Sequence, residues 1–460
     1  MACSHILFRG YLYSAPTKPK SDTPFYRLKT SHPKMENRRP KPVLSFILFV
    51  FFLSISISFS TDTILSLDLL HRDRILPAHS NPTRQSLLRH RLHRDQHRAQ
   101  SLSSPMISGF PLGMGEYFAR MALGTPPKHF YMLADTGSDL IWLQCRPCKY
   151  CYNQSDPLFN PTRSTSYSRV RCASEPCRQL DLDYMSDNCT AHHMCRYKIG
   201  YGDGSFSFGD LATETLWFGG KKRVPRVALG CGHDNEGLYA AAAGLLGLGP
   251  GKLSFPSQAR TNFSYCLADL LFEQPNRTSW IRFGSPPATK TQFTPLKDNP
   301  KIPSTYYYVG LRGISVGGEN VVGIHQSDFE IHSDGSGGTI VDSGTTVSRL
   351  PGLAYKALRK AFVAKFSLKP SSNYSLLDTC FDLSGKGHVE VPTVALHFEG
   401  GAVMELSRIN CLFPVDTNGT YCFAFAAADG VSIIGNIQQQ GFEFWFDSAG
   451  KRLGFAPNRC

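Results

Sequence analysis

Two short motifs in this chain place an aspartate in a glycine-containing turn directly after an apolar run. Asp135 opens an Asp-Thr-Gly-Ser sequence, and Asp342 opens an Asp-Ser-Gly-Thr sequence. Glycine has no Cβ, so the backbone amides near Gly137 and Gly344 can approach the carboxylate oxygens and hydrogen-bond to them. The pattern predicts two carboxylates held rigidly at the ends of two strands.

The chemistry of such carboxylates depends on whether they meet. If the two motifs face each other, Asp135 and Asp342 cannot both be ionised cheaply, so they share one proton. The ionised carboxylate can then take a proton from a water molecule that attacks a carbonyl carbon, while the protonated one donates to the carbonyl oxygen. Hydroxyl groups of Ser138 and Thr345 are expected to add hydrogen bonds to the carboxylates. The motifs therefore predict amide hydrolysis at acidic pH without a covalent intermediate.

The two motifs belong to an internal duplication. Each is followed, at similar distance, by an apolar pair and a glycine: Leu-Leu-Gly ends at Gly247, and Ile-Ile-Gly ends at Gly435. The first interval is longer and contains the cysteine-dense tract 145–195, which indicates an insertion confined to the first copy. The duplication predicts two similar lobes.

The fold class follows from composition and from local patterns. Forty Gly and 30 Pro punctuate many short β-branched and aromatic runs, and the clearest helical pattern covers only 354–366. We therefore predict an all-β fold with few short helices. Prolines and polar residues at 295–304 predict the linker between the lobes. This gives an N-terminal lobe at 107–298, which includes the cysteine-rich insertion, and a C-terminal lobe at 299–460.

The paired motifs, a Tyr-Gly-Asp-Gly-Ser sequence at Tyr201 and an Ile-Gly-Asn-Ile-Gln-Gln-Gln sequence at Ile434 resemble the pepsin-like aspartic proteases. The likeness is narrower to their plant nepenthesin-like branch and covers roughly residues 115–460. It implies a bilobal fold with pseudo-twofold related lobes, an active cleft between them, and Asp135 and Asp342 as the catalytic pair. It also implies a monomer that cuts polypeptides and needs no metal or organic cofactor.

The same resemblance implies roles for residues around the catalytic pair. Thr136 and Ser343 match positions whose hydroxyls cross-link the two active loops. Tyr201 matches the tyrosine of a substrate-covering flap, in which Gly202 permits bending, and Trp142 matches the partner of that tyrosine. A flap needs glycines to bend and an aromatic ring to exclude water from the substrate. The alternative for Tyr201 and Trp142 is an ordinary place in a strand or in the core.

Cysteine usage indicates an oxidising compartment. Thirteen of the 14 cysteines lie between Cys145 and Cys460, which favours disulfides of an exported protein. A zinc site is the alternative. Its candidate ligands are Cys145, Cys148, Cys151, His192, His193 and Cys195.

The nepenthesin-like resemblance implies twelve cysteines in six bridges, one fewer than the thirteen present. Cys411 stands where that pattern has an ordinary residue, so we expect it to be unpaired and buried. Cys380 and Cys422 match the C-terminal bridge of pepsin-like enzymes.

The N-terminal quarter carries most of the net charge of +13. Residues 1–106 hold 16 Lys+Arg against 6 Asp+Glu, which leaves 33 against 30 in the rest of the chain. The near-neutral body argues against nucleic-acid binding. The basic segment 61–106 is interpreted as a propeptide that covers the acidic cleft at neutral pH and leaves by cleavage near 108–109. A disordered tail or a nucleic-acid arm are the alternatives.

Residues 1–60 are interpreted as an N-terminal extension plus a signal peptide, with Met35 as the possible true start. The apolar run 43–60 follows basic residues and ends in a polar break. We therefore expect a secreted or vacuolar protein without stable membrane insertion; a signal anchor or a plastid protein are the alternatives. Six Asn-X-Ser/Thr sites are candidates for glycosylation. They begin at Asn153, Asn188, Asn262, Asn276, Asn373 and Asn418.

The function predicted from these features is an acid-active aspartic endopeptidase made as a secreted, glycosylated proenzyme. It would cut extended polypeptides with bulky apolar residues beside the scissile bond. One alternative is a noncatalytic binding or inhibitor protein on the same scaffold. A plastid protease with nucleic-acid affinity is another.

Overall fold

A computed structural model of the chain describes residues 64–71, 117–180, 189–201, 204–219, 222–237, 239, 242–268, 278–301, 305–416, 418–457 and 460. The apolar run 43–60, most of the predicted propeptide, Gly202, Asn188 and Asn276 lie outside these residues. In the part described, no helix is both long enough and apolar enough to span a membrane.

Strands dominate the described chain, as predicted. The first half contains β1 (Leu65–His71), β2 (Tyr117–Leu123), β3 (Lys128–Asp135), β4 (Trp142–Gln144), β5 (Ser168–Arg169), β6 (Arg196–Gly200), β7 (Phe206–Phe218), β8 (Lys222–Glu236), β9 (Gly244–Gly247), β10 (Phe263–Cys266) and β11 (Ser279–Phe283). The second half contains β12 (Gln292–Lys297), β13 (Tyr307–Val309), β14 (Leu311–Val316), β15 (Glu319–Asn320), β16 (Thr339–Val341), β17 (Ser348–Pro351), β18 (Ser372–Tyr374), β19 (Leu377–Asp382), β20 (Val394–Phe398), β21 (Val403–Leu406), β22 (Leu412–Pro414), β23 (Thr420–Phe423), β24 (Phe425–Ala428), β25 (Ser432–Ile434), β26 (Phe442–Asp447) and β27 (Arg452–Pro457).

Helices are few and mostly short. The α-helices of the described residues are α1 (Glu175–Arg178), α2 (Phe255–Ala259), α3 (Gly352–Lys365), α4 (Arg408–Cys411) and α5 (Asn436–Gln439). Single 3₁₀ turns lie at Pro161–Arg163, Gln326–Phe329 and Glu399–Gly401. The predicted helix at 354–366 corresponds to α3, where Ala354, Leu358 and Phe362 recur every four residues on one buried face.

The duplication seen in the sequence is a duplication of topology. In the first half, β3 runs parallel to β9, and β4 pairs antiparallel with β9 and parallel with β8. In the second half, β16 runs parallel to β25, and β17 pairs antiparallel with β25 and parallel with β24. Each aspartate therefore leaves a strand that lies beside the strand of its own apolar-pair motif. The prediction of an all-β fold with two lobes is confirmed.

One antiparallel ladder joins the two halves. It passes from β12 through β27, β26, β10, β11 and β1 to β2. Aromatic rings fill its centre: Phe263 and Phe446 stack with centroids 4.6 Å apart, and Tyr307 lies 4.6 Å from Phe446. Two four-stranded sheets, β15-β14-β20-β21 and β18-β19-β23-β22, belong to the second half.

The segment predicted as a linker begins inside a strand. Pro295 to Lys297 form the end of β12, and Pro295 pairs with Arg452 of β27. The proline is tolerated because β13 pairs with β12 only beyond it, at Leu296 and Lys297. Because β13 is not paired at Pro295, the missing N–H of the proline removes no hydrogen bond to β13.

Strand β1 lies inside the segment predicted as a propeptide. It pairs with β11 and with β2, and Leu65, Leu67 and Leu69 are buried while Ser66 and Asp68 between them are exposed. This period-two pattern is that of a strand with one face on a core. The alternative of a disordered tail is therefore wrong for residues 64–71.

Candidate active site

The first predicted aspartate lies at the end of β3 and is 1% exposed. The N–H of Gly137 donates to Asp135 Oδ1 at 2.9 Å, as the glycine turn predicts. Below it, Gly247 stands opposite Asp135 on β9. A Cβ at Gly247 would lie 2.0 Å from the carbonyl oxygen of Asp139, so only glycine permits this approach.

The second aspartate directly follows β16 and is 2% exposed. Asp342 accepts the N–H of Gly344 on Oδ1 at 2.8 Å and the hydroxyl of Thr345 on Oδ2 at 2.6 Å. Its own N–H donates to Ile434 O at 3.2 Å. These bonds fix both carboxylate oxygens and the backbone of Asp342, which is the rigid geometry expected of a preorganised site.

Thr136 and Ser343 tie the two aspartate loops together. The N–H of Thr136 donates to Ser343 Oγ at 3.2 Å, and the N–H of Ser343 donates to Thr136 Oγ1 at 2.9 Å. Each hydroxyl also donates to a backbone carbonyl just before the aspartate of the other loop, at 3.3 and 3.2 Å. Because the aspartates immediately precede these two residues, the reciprocal bonds bring the two motifs face to face.

The hydroxyl of Ser138 does not follow the predicted pattern. Ser138 is buried, but within the described part of the chain its Oγ has no hydrogen-bond partner, whereas Thr345 Oγ1 bonds its carboxylate. The Ser138 backbone is committed elsewhere, because its carbonyl accepts the N–H of Gly249 at 2.8 Å. The duplicated motifs are therefore equivalent in their amides but not in their terminal hydroxyls.

Tyr201 and Trp142 are brought together by the β6–β7 hairpin. Tyr201 follows β6, its N–H donates to Ser205 O at 2.8 Å, and its carbonyl accepts the N–H of Gly204 at 2.9 Å. Gly204 has φ of +84°, a conformation that favours glycine. The indole N–H of Trp142 donates to Tyr201 Oη at 2.6 Å. A direct bond between these residues matches the pairing that the resemblance implies.

Tyr239 joins this aromatic group and was not singled out by the sequence. Its ring centroid lies 5.0 Å from Trp142, 6.0 Å from Tyr201 and 5.0 Å from Tyr152. The first two contacts are edge-to-face, an arrangement that adds attraction beyond buried area. No motif surrounds Tyr239, so only its packing identifies it.

Gln438 supports the second loop from beneath. Its Oε1 accepts both the N–H and the hydroxyl of Ser348, at 2.9 and 2.7 Å. Its Nε2 donates to Asn410 O at 2.7 Å and to Ala424 O at 2.8 Å. The amide is fully buried and both of its ends are satisfied, so it rigidifies the segment that follows Asp342. This gives a structural role to the Gln-Gln-Gln sequence.

Twelve cysteines of the described chain form disulfides. The pairs are Cys145–Cys231, Cys148–Cys151, Cys172–Cys189, Cys177–Cys195, Cys266–Cys460 and Cys380–Cys422. The pairing of Cys380 with Cys422 agrees with the bridge that the resemblance implies. Of the four candidate zinc-ligand cysteines, Cys148 and Cys151 are bonded to each other, Cys145 to Cys231 and Cys195 to Cys177, so none is available as a thiolate ligand.

Cys411 is a buried free thiol in the structure, as expected. Burial raises its pKa to about 12. A thiol in this environment stays protonated and is a poor nucleophile. Its role is that of a small apolar residue in the core.

The predicted glycosylation sites differ in exposure. Asn153, Asn373 and Asn418 are exposed, whereas Asn262 is only partly exposed. Ser264, the third residue of the Asn262 site, is fully buried in β10 and bonds Ser285 at 3.1 Å. Of the four predicted sites among the described residues, three are therefore accessible.

Comparisons with known proteins agree with this fold. Residues 117–285 match the family model described as Xylanase inhibitor N-terminal, and residues 306–457 match Xylanase inhibitor C-terminal. Aspartyl protease family protein 2 of Arabidopsis thaliana is 49% identical over 420 residues, 85% of each chain. Aspartic proteinase nepenthesin-2 of Nepenthes gracilis is 38% identical, over 83% of this chain and 87% of that protein.

Solved structures share the fold at low sequence identity. Basic 7S globulin from soybean has a TM-score of 0.60 at 21% identity and covers 75% of this chain and 93% of its own. Conglutin gamma from lupine seeds has a TM-score of 0.60 at 17% identity, and the match covers 86% of this chain and 95% of that protein. The chain belongs to the pepsin-like aspartic protease family. Within that family, its similarity to the nepenthesins places it in their plant branch.

Proposed function

We propose that this protein is an aspartic endopeptidase that hydrolyses peptide bonds of polypeptides at acidic pH. The observation that supports the proposal is the reciprocal bonding of Thr136 and Ser343, the residues that immediately follow Asp135 and Asp342. Each aspartate also accepts an N–H from the glycine two residues later. Two carboxylates, each held by the same backbone hydrogen bond, can serve as the base and the acid of amide hydrolysis.

The mechanism divides the work between the two carboxylates. Because adjacent carboxylates cannot both be ionised cheaply, Asp135 and Asp342 together hold one proton. The ionised member takes a proton from a water molecule as that water attacks the scissile carbonyl carbon, and the protonated member donates to the carbonyl oxygen. The tetrahedral intermediate then collapses: the carboxyl that took the proton from water gives it to the amine nitrogen, a hydroxyl of the intermediate returns its proton to the other carboxylate, and the C–N bond breaks. No covalent enzyme intermediate forms.

The β6–β7 hairpin is the proposed flap over the substrate. Tyr201 is held by Trp142, and Tyr239 buttresses both rings, so closure would place an aromatic wall over the scissile bond. Exclusion of water strengthens the interactions made by the carboxylates. The proposed substrates are extended polypeptides with bulky apolar residues at the bond cut.

Made as a proenzyme, the protein would follow the secretory pathway. The six disulfides of the described residues fit an oxidising compartment, and Asn153, Asn373 and Asn418 are the exposed candidate glycan positions in that part of the chain. Residues 61–106 are the proposed propeptide. Because β1 lies within the sheet, its release during maturation would require a rearrangement of that sheet.

A noncatalytic inhibitor is the second candidate, because the matching family models carry the name xylanase inhibitor. Both aspartates and the bonds between their loops are present, which favours catalysis. One experiment on the purified proenzyme distinguishes the peptidase from the inhibitor.

That experiment incubates the wild type with denatured globin at about pH 3.5, in the acidic range proposed for the reaction, with and without pepstatin. The matched variants are Asp135→Asn and Asp298→Asn, the latter on an exposed aspartate. Peptide release by the wild type and Asp298→Asn, blocked by pepstatin and absent in Asp135→Asn, supports the peptidase. Inhibition of a xylanase by an inactive wild type would overturn it in favour of the inhibitor. N-terminal sequencing of the incubated sample locates the maturation cleavage.

A further inference from the structure

Tyr265 stands at the centre of the ladder that joins the two halves. On β10 it pairs with Ile281 of β11 and with Phe444 of β26. Its ring lies 5.9 Å from Phe444 and 5.4 Å from Phe446, and the residue is 1% exposed. Strands on both sides and rings on its face leave the side chain little freedom, so its hydroxyl has a fixed position.

That hydroxyl begins a hydrogen-bond chain that ends at the second aspartate. Tyr265 Oη donates to Gln439 Oε1 at 2.5 Å, and Gln439 Nε2 donates to Ile434 O at 2.7 Å. The same Ile434 carbonyl accepts the backbone N–H of Asp342 at 3.2 Å. The chain therefore links the sheet between the lobes to the backbone of the proposed catalytic residue.

The pKa of the Tyr265 hydroxyl responds to groups on both loops. Burial, followed by the negative charge of Asp342, raises the pKa of the Tyr265 hydroxyl, while a hydrogen bond with Thr136 opposes the rise. Asp342 belongs to the second loop and Thr136 to the first. The hydroxyl is thus within electrostatic reach of the contact between the two loops.

We propose that Tyr265, acting through Gln439, is a positioning residue that sets how closely the Asp342 loop approaches Asp135. This inference rests on the proposed function and extends it to a residue that contacts neither substrate nor the reacting water. Phenylalanine at 265 would keep the packing but leave Gln439 Oε1 without its donor. The glutamine would then hold Ile434 and the Asp342 loop less firmly.

A distinctive kinetic result follows from looser loops. The bell-shaped pH dependence of an acid–base pair has two limbs, and the stronger the two carboxylates interact, the further apart these limbs lie. If Asp342 moves away from Asp135, their interaction weakens, so the acidic limb moves to higher pH and the basic limb moves to lower pH. A narrower bell is therefore the signature of lost positioning, and general destabilisation does not produce it.

The experiment compares full-length wild type, Tyr265→Phe and Tyr355→Phe after activation, with a peptide substrate across the acidic pH range. Tyr355 lies on α3, where its hydroxyl donates to Asp378, so its variant also loses one hydrogen-bonded, partly buried hydroxyl away from the site. For Tyr265→Phe we expect kcat to fall about tenfold, with KM little changed and each limb moved inward by about half a pH unit. Tyr355→Phe should keep the wild-type profile, while the two variants melt at similar temperatures.

A second variant tests the route through the glutamine. Gln439→Leu should narrow the pH profile of kcat in the same way. The double variant with Tyr265→Phe should narrow it no further, because both substitutions interrupt the same series of hydrogen bonds. An active wild type with an unchanged profile in Tyr265→Phe contradicts the positioning role alone. A wild type without acid proteolysis contradicts the proposed function and removes the basis of the inference.

Discussion

Thr136 and Ser343 show at the residue scale how much local sequence determines. The glycine turns predicted the amide bonds to Asp135 and Asp342, because a residue without a Cβ is what that approach requires. Side-chain hydroxyls were less predictable. Ser138 and Thr345 end equivalent motifs, yet only Thr345 bonds its carboxylate, because a hydroxyl rotor takes its partner from tertiary surroundings that the motif does not contain.

Replacing Thr136 by Val tests the bonds between the loops. The isosteric change removes the acceptor of the Ser343 N–H, and a buried donor left unsatisfied costs about 1–3 kcal/mol. We expect the free energy of unfolding to fall by about that amount and kcat to fall at least tenfold, roughly, as the carboxylates lose alignment.

Thr294→Val is the matched control for this change. Thr294 is 1% exposed, and its hydroxyl has no hydrogen-bond partner among the described residues. The control should keep wild-type kcat and stability, as measured by steady-state kinetics and denaturant unfolding. Equal kcat in Thr136→Val and Thr294→Val would show that the bonds between the loops do not align the site.

At the scale of elements, strands were predictable where their pattern is local. The helix at 352–365 follows from its periodicity, and the strands β13 and β26 follow from their aromatic runs. The end of β12 was missed because Pro295 is typical of a strand break. At that position the strand has one paired neighbour, β27, which is distant in sequence, so no local pattern shows that a proline is tolerated there. Tyr239 was missed for a similar reason, since its three aromatic neighbours come from separate segments.

Asp210 on β7, a strand of the proposed flap hairpin, should make stability depend on pH. Burial raises its pKa, but the hydrogen bond from His233 and the charge of Arg169 outweigh burial, so the pKa is lowered. Arg169 lies 3.0 Å and His233 3.4 Å from its oxygens. The stabilisation is present above the ordinary carboxyl pKa of about 4 and is lost as pH falls through the lowered folded value.

Asp210→Asn should therefore lower the free energy of unfolding at about pH 6 by roughly 1–3 kcal/mol, and by much less at about pH 2. Asp298→Asn is the control, because that aspartate pairs with Lys451 while its side chain is 75% exposed. Exposed pairs contribute little, so its effect should be small at both values. Urea unfolding at the two pH values measures both. A cost for Asp210→Asn that does not change with pH would contradict the account.

For the whole molecule, the duplicated motifs predicted two lobes, but the sheet that joins them could not be predicted. Its neighbours β10 and β26, and β12 and β27, lie far apart in the chain, and Cys266 bonds Cys460 across 194 residues. Such pairings depend on tertiary contacts that no local pattern records. The same limit explains why β1 was assigned to a detachable segment and not to the sheet.

Leu67→Ala tests whether β1 is part of the folded body of the proenzyme. Leu67 is 5% exposed in the core, and truncating a buried leucine costs about 2–5 kcal/mol. We expect that loss in the free energy of unfolding of the proenzyme at neutral pH. Ser66→Ala, on the exposed face of the same strand, should cost well under 1 kcal/mol, roughly. Equal stability of the two variants would mean that β1 does not contribute to the sheet.

The central claim is that Asp135 and Asp342 act as one catalytic unit at the contact between the two halves. The most direct measurement is kcat/KM at acidic pH for the wild type, Asp135→Ala, Asp342→Ala and the double variant, each shown to be folded. We predict that each single change lowers kcat/KM by about 10³-fold or more and that the double variant is no worse, as for residues that act as a unit. Substantial activity in either single variant, or losses that multiply in the double one, would contradict the claim.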